Sequence, residues 1–449
     1  METISQLARL GLFDARVPRY TSYPTAPQFS NDVGAGTFVD WLGAIAPGSK
    51  ISLYVHVPFC RRLCWFCACR TQGTSSDTPV LSYVRTLKAE LELLRAALPP
   101  GVRLARLHWG GGTPTLLPAA AMRDLARAIF DVAPLAEGSE FSVEIDPNEI
   151  DAARLDALAE MGMTRASIGV QDFDAQIQAV IGRDQSYEIT RDAVEAIRAH
   201  GIESLNADIL FGLPHQTRAG ISDSVQKLLS LSPDRVALYG YAHVPWMARR
   251  QQLIPSEALP TAEERLELFE TARRLFRWDG YDEIGIDHFA RPEDGLAIAA
   301  REGRLRRNFQ GYTDDVAPVL VGLGASSISR FPQGYAQMNP VTSAWSKAVQ
   351  LGQFATARGH AFKGEDLLRG RIIEALMCDF RVRNAELIRD FGATPARLQA
   401  LYAPVVARYA PFVQQTAEGL AIPPEGHPLT RMIAAAFDDY AMAKHSAAI

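Results

Sequence analysis

The chain has 449 residues, 47% of them hydrophobic and 22% charged, with a formal net charge of −5. That balance belongs to an ordinary globular protein with room for one large core and a smaller one. It excludes a generally basic nucleic-acid binder, so an anionic ligand would need a local arginine cluster. No apolar run of about 18 residues predicts a membrane span, and residues 1–16 lack the basic start and long apolar stretch of a signal peptide. The expected location is therefore cytoplasmic.

In chain order, residues 1–35 carry Pro18, Pro24 and Pro27 with little periodicity and read as an ordered arm. Residues 52–57 alternate and are rich in β-branched and aromatic types, which predicts a strand running into a cysteine loop. Further strands are predicted at 104–109, 141–145, 166–170, 205–210 and 236–241. Helices at 77–97, 119–132, 151–161, 188–200, 219–231 and 262–279 separate them. Strands alternating with helices imply parallel pairing through right-handed crossovers. The fold expected is α/β, an open or partial (β/α) barrel with its site at the C-terminal strand ends. From about residue 360 the pattern is lost. Helices, two short strands near 412–415 and 420–422 and a last helix there suggest a small, mainly helical, winged-helix-like domain ending in an alanine-rich tail. The domain division expected is 1–35, 36–355 and 356–449.

Of the five cysteines, Cys60, Cys64, Cys67 and Cys69 lie within ten residues and Cys378 stands alone. Such clustering predicts a metal site in a reducing compartment rather than disulfides. Three thiolates at the spacing Cys60-x3-Cys64-x2-Cys67 can hold three irons of a [4Fe-4S] cluster and leave the fourth iron open to a small molecule. The alternative is a zinc ion held by all four cysteines of the loop, though zinc sites usually pair two separated arms. Gly110-Gly111-Gly112 follows the second strand, where missing side chains let the backbone approach a ligand; a tight turn is the plainer reading.

Cys-x3-Cys-x2-Cys after a first strand resembles the signature of radical S-adenosylmethionine (SAM) enzymes. The segments 54–60 and 65–69 resemble those of oxygen-independent coproporphyrinogen III oxidases (coproporphyrinogen dehydrogenases). The likeness extends to Pro18-Arg19-Tyr20-Thr21-Ser22-Tyr23-Pro24, to 108–115, to Glu144-Ile145-Asp146-Pro147, to 169–173, to 287–292 and to 307–313. The resemblance implies a cluster on Cys60, Cys64 and Cys67, with SAM on the fourth iron and two SAM molecules in all. It places Gly111, Gly112 and Thr113 at the methionine moiety, Glu144 at its ammonium and Arg183 at its carboxylate, pairings that suit those charges. Gln171 and Asp208 would meet ribose hydroxyls, and Tyr54, Phe66, Ala242 and Ile328 would frame the adenosyl part.

The implied reaction converts two propionates of coproporphyrinogen III to vinyls through 5′-deoxyadenosyl radicals, giving protoporphyrinogen IX for heme biosynthesis. An electron donor and an electron acceptor are implied partners, and a monomer is the expected state. The alternatives are a heme-binding chaperone or a heme-degrading relative of the same superfamily. The chaperones characteristically lack a match to Cys69 and to the Pro-Arg-Tyr-Thr-Ser-Tyr arm, both present here.

Four features stay outside this scheme. Cys69 and Cys378 read as small buried thiols, and His288 as a core histidine. The basic run Arg301 to Arg307, with Arg304, Arg306 and Arg307, reads as a solvated helix face, with propionate contact as the other option. Where the family pattern leads to a small hydroxyl residue after Thr313, this chain has Asp314.

Overall fold

A computed structural model describes residues 2–440; Met1 and 441–449, with most of the alanine-rich tail, lie outside the described residues. Six strands, β1 (Lys50–Val57), β2 (Arg103–Gly111), β3 (Leu135–Ile145), β4 (Arg165–Gln171), β5 (Ser204–Phe211) and β6 (Arg235–Gly240), pair in parallel in that order. Helices Thr78–Ala97, Ala119–Val132, Ala152–Glu160, Tyr187–Ala199 and Arg218–Ser230 make the crossovers, each within two residues of its expected bounds. Their starts are set locally: Asp151, Ser186 and Thr217 cap three of them. A capping box of Thr261 and Glu264 opens the helix Ala262–Trp278.

The sheet then grows at both edges. Two short strands, β7 (Asp282–Ile284) and β8 (His288–Ala290), extend it beyond β6. On the other side β9 (Leu320–Leu323) joins β1 in parallel, followed by the antiparallel β10 (Ile328–Phe331), β11 (Gly334–Met338) and β12 (Thr356–Ala361). The strand order is β12-β11-β10-β9-β1-β2-β3-β4-β5-β6-β8-β7, a barrel that does not close. Because β12 pairs along β11, the sheet reaches Ala361 and runs past the expected boundary at 355/356.

Side-chain alternation explains the layers. One face of the strands carries Leu107, Trp109, Phe141, Val143, Ile168, Ile209 and Leu238, buried with the inner faces of the helices in one large core. The other face carries Arg106, His108, Glu140, Ser142, Glu144, Ser167, Asn206 and Asp208, which line a cavity of about 150 Å³ inside the barrel.

Near the N-terminal strand ends that interior is closed by ions. Arg106 bonds Asp314 at 2.9 Å and Glu140 at 3.3 Å, Arg165 bonds Glu140 at 2.9 Å, and Arg235 bonds Asp294 at 2.6 Å. Asp314, which departs from the small hydroxyl expected after Thr313, is thereby accounted for: it supplies a third carboxylate to three guanidiniums.

The arm holds more structure than its sequence suggests. A helix, Glu2–Arg9, precedes its extended part, and another, Ala35–Gly43, follows it. The first is too short for periodicity to single out and is held by tertiary packing. Leu7, Leu12, Val17, Tyr20 and Tyr23 share a second core with residues 368–437. There the helices Asp366–Asp379, Asn384–Phe391, Pro395–Tyr409 and Thr430–Ala435 surround a small sheet of Arg381–Arg383, Gly419–Ala421 and Gln414–Thr416. Arg431 ties the two ends of the chain together by donating to the carbonyls of Val17 and Pro18.

Candidate active site

The cysteine loop leaves β1 at the C-terminal end of the sheet. Phe59–Cys60 pairs with Gln72–Gly73 to close it, and Trp65 N–H donates to the Ile181 carbonyl to seat its crown. Trp65 and Phe66 pack on Ile177, Ile181, Leu210 and Ile254. Each ligand candidate has its own neighbour. Burial pushes the Cys60 thiol up to about 11, against a hydrogen bond from Thr113. The guanidinium of Arg183 lies 3.5 Å from the Cys64 sulfur, and Cys69 N–H donates to the Cys67 sulfur at 3.4 Å. A hydrogen bond from the Cys69 thiol lowers Cys67 to about 6. Cys69 thus supports a neighbouring sulfur and is exposed rather than buried. Cys378 is buried as expected.

The register of parallel strands assembles the floor. Tyr54 lies opposite His108 and His108 opposite Ser142; Glu144 pairs with Ser167, and Gly169 with Asp208. Glu144 accepts from Gly111 N–H at 2.9 Å and meets the His108 ring at 3.2 Å. Burial alone would raise this carboxyl, but His108 and the Gly111 N–H outweigh it and hold it below its ordinary value. Tyr54 stacks on the same His108 ring and bonds His56 at 3.0 Å.

The glycines have a steric reason. A Cβ on Gly111, at φ 114°, would lie 2.5 Å from the His56 ring, and one on Gly112 would lie 2.5 Å from the Phe59 carbonyl. A Cβ on Gly169 would meet the Gln171 amide at 2.7 Å and approach Arg183 at 3.5 Å, so these two candidates meet over a bare backbone. Gln171 itself has φ 70°, an uncommon conformation that turns the chain at the end of β4. Arg183 donates to Gly169 and Gln185, while its Nε is buried without a hydrogen-bond partner. Asp208 accepts from Asn206 at 3.0 Å, and burial raises its carboxyl to about 7.

Phe66 and Ala242 are 176 residues apart, yet their carbonyls both accept from the buried Gln251 amide, at 2.6 and 3.0 Å. Ile328 reaches the site less directly: its carbonyl backs Gly322, the register partner of Tyr54. The three cysteines, the glycine cradle, Glu144, Gln171, Arg183 and Asp208 therefore lie together at one end of the barrel. His56, His108, Asn206 and Gln251 are supporting residues that sequence reading missed. Only His56 and His108, inside the family-like segments 54–60 and 108–115, carried a local signal.

The residues present fit an iron–sulfur cluster and SAM. Three sulfurs with separate hydrogen-bond partners suit a thiolate-bound cluster. The side-chain-free cradle, the ionised Glu144 and the unpartnered Arg183 Nε suit a zwitterion beside it.

His288 is buried and bonds Asp287 at 2.7 Å, the satisfied core histidine expected. The basic run divides. Arg301 and Arg304 pair with Asp282 and Glu302 at the surface, while the Arg307 side chain is 4% exposed and packs over Tyr312.

The Radical SAM superfamily model matches residues 54–228. The chain is 68% identical, over 100% of both chains, to the oxygen-independent coproporphyrinogen III oxidase of Paracoccus denitrificans. It is 61% identical, over 98% of both, to the enzyme of that name from Cereibacter sphaeroides. The solved structure of the Escherichia coli coproporphyrinogen III oxidase, described as a radical SAM enzyme, superposes with a TM-score of 0.90 at 34% identity, covering 95% of this chain and 100% of that one.

Proposed function

The chain belongs to the oxygen-independent coproporphyrinogen III oxidase family of radical SAM enzymes, and from that premise we propose which residues carry its reaction. The reaction is the oxygen-independent oxidative decarboxylation of coproporphyrinogen III to protoporphyrinogen IX, with a [4Fe-4S] cluster and SAM as cofactors. Bound together, these cofactors supply the one-electron chemistry that removes a hydrogen atom from the β-carbon of a substrate propionate.

The observation that carries the residue assignment is the meeting of the three-cysteine loop with Glu144, which is tied to the Gly111 N–H. Cys60, Cys64 and Cys67 hold the cluster. Gly111, Gly112 and Thr113 let the methionine part lie against backbone. Glu144, kept ionised by His108 and the Gly111 N–H, takes the ammonium, and Arg183 takes the carboxylate. Gln171 and Asp208 bond the ribose, and Tyr54, Phe66, Ala242 and Ile328 frame the adenosyl group, with room for a second SAM as part of the same proposal. Radical chemistry needs a chamber without bulk water. The arm and the region beyond β12 serve that need by covering one side of the barrel mouth, a role that suits a three-part division at 35 and, since β12 belongs to the sheet, after Ala361 rather than at 355. A separate electron donor and acceptor, a monomeric state and a cytoplasmic location complete the reading. No helix among the described residues is long and apolar enough to cross a membrane.

The test is anaerobic turnover of coproporphyrinogen III with SAM and a reductant. Two vinyl groups and two CO2 per substrate are expected. Tight heme binding without turnover would overturn the assignment.

A further inference from the structure

A cavity of about 400 Å³ lies between the arm, the end of β6, the helix Ala262–Trp278 and the C-terminal region. Its walls include Tyr239 and Ala242 and five arginines, Arg19, Arg265, Arg273, Arg307 and Arg431. Tyr239 also lines the barrel interior beside Asp208, and its phenol is influenced by Asp208 as well as by Asp287, Arg307 and Arg19. The cavity therefore borders the site described above.

The same wall carries six carboxylates, Glu263, Glu267, Glu270, Glu283, Glu425 and Asp287, so what distinguishes it is not net charge but which guanidinium donors are in use. Two of these acids, Glu270 and Glu283, pair with Arg273. At the inner end Asp287 stands among the arginines, and it is itself hydrogen-bonded to His288. Burial lowers Arg19, Arg265 and Arg431, with a neighbouring arginine adding to each, whereas Arg307 is held up against burial by Tyr312 and Asp287. Burial and then Arg19 lower Arg265 to about 10, and the same two influences lower Arg431 to about 9. Arg307, with its side chain 4% exposed, leaves its Nε and Nη1 without hydrogen-bond partners and uses Nη2 only for a long contact, 3.5 Å, to the Arg19 carbonyl. Arg19 is exposed, but into the cavity, and among the described residues its side chain bonds the Gly240 carbonyl alone. The unused donors of Arg307 and the cavity-facing guanidinium of Arg19 are arranged for an anion, and their fork geometry suits carboxylates.

We propose that this arginine-lined cavity holds the two propionates of coproporphyrinogen III that the reaction retains, on rings C and D, with Arg19 and Arg307 as their binding residues. The inference rests on the coproporphyrinogen reading. A propionate that departs as CO2 loses its negative charge on the way. A guanidinium fork on it would stabilise the starting state more than the transition state and slow the step. On the retained propionates the same forks anchor the ring at no such cost. The reacting β-carbons are then presented toward Tyr239 and Asp208.

The test is direct binding, by fluorescence, of the non-reacting coproporphyrin III and of two of its diesters, one blocked on rings A and B and one on rings C and D. The wild-type protein is expected to lose roughly ten- to hundredfold in affinity for the C/D diester, the usual cost of a charge-assisted pair. It should bind the A/B diester nearly as well as the parent. Arg19→Gln and Arg307→Lys should weaken the parent and abolish the discrimination, with SAM affinity unchanged. Arg307→Lys keeps the charge, and Arg19→Gln removes a side chain that faces open space, so a folding defect in one leaves the other informative. Equal loss with both diesters, a larger loss with the A/B diester, or a fall in SAM affinity instead would overturn the proposal. Turnover by the wild-type protein is read separately: its absence would overturn the substrate assignment, while the binding comparison still decides the arginine site.

Discussion

Both ends of the barrel strands carry buried carboxylates and guanidiniums, but they use them differently. Toward the N-terminal ends, Arg106, Arg165 and Arg235 face Glu140, Asp294 and Asp314, three charges of each sign in mutual contact. Burial would raise the Glu140 carboxyl, yet its three guanidiniums bring it down to about 2. At the C-terminal ends, Asp208 has no guanidinium in contact among the described residues, and burial carries it up to about 7 against the more distant Arg183, which keeps an unused Nε. The same residue types thus form a closed plug at one end and an open set of donors and acceptors at the other. A buried ion earns stability only when its partners are present. The lower end has them within the chain, and the upper end awaits them from ligands.

The contrast can be broken most completely at the loop. Cys60→Ser, Cys64→Ser or Cys67→Ser should remove the cluster and all activity, since a hydroxyl is a poor substitute for a thiolate ligand. Iron content and visible absorbance would show it, and an iron-replete, active variant would refute the ligand assignment. Next comes the plug. Glu140→Gln leaves three buried guanidiniums short of one carboxylate and should destabilise the fold by about 3–5 kcal/mol. Thermal unfolding of the cluster-free protein reads this, and an unchanged midpoint would mean that the plug is not a structural device.

Arg183→Ala tests the open end. Roughly ten- to hundredfold weaker SAM binding is expected with the cluster still formed, and normal SAM affinity would remove Arg183 from the site. The smallest effect sharpens the comparison through pH. The Asp208 carboxyl is raised from 3.8 to about 7, so the folded chain holds a proton that the unfolded chain releases above its ordinary value. Stability from this group is therefore lost as pH rises from about 4 to about 7 and stays lost above that. Asp208→Asn should remove this penalty, leaving the ligand-free variant at pH 8 more stable by about 1–3 kcal/mol while it binds SAM less well. Equal stability of the two proteins across that range would show that Asp208 is not held neutral.

Much of the upper end was legible because its signals are local. The cysteine spacing and the glycines directly after β2 are readable within a dozen residues, and the strand–helix alternation predicts that such loops gather at one end. The six parallel strands and their helices follow from periodicities of 2 and 3.6 residues. The arm was legible as a motif but not in its partner. Its apolar residues look too sparse for a core until residues 368–437 are placed against them.

The sequence alone, then, determined the family and the order of the six parallel strands with their crossover helices, because each rests on neighbours in the chain; the six strands between 282 and 361 that widen the sheet carried no such signal. Only the tertiary structure decided that Asp314 completes an ion plug with Arg106, 208 residues away. It alone decided that Gln251 joins Phe66 to Ala242, and that, of the run at 301–307, Arg307 turns inward to meet Arg19 across 288 residues. A charge reads the same in sequence whether water or protein surrounds it. Which of the two it meets is fixed by what the rest of the fold brings alongside.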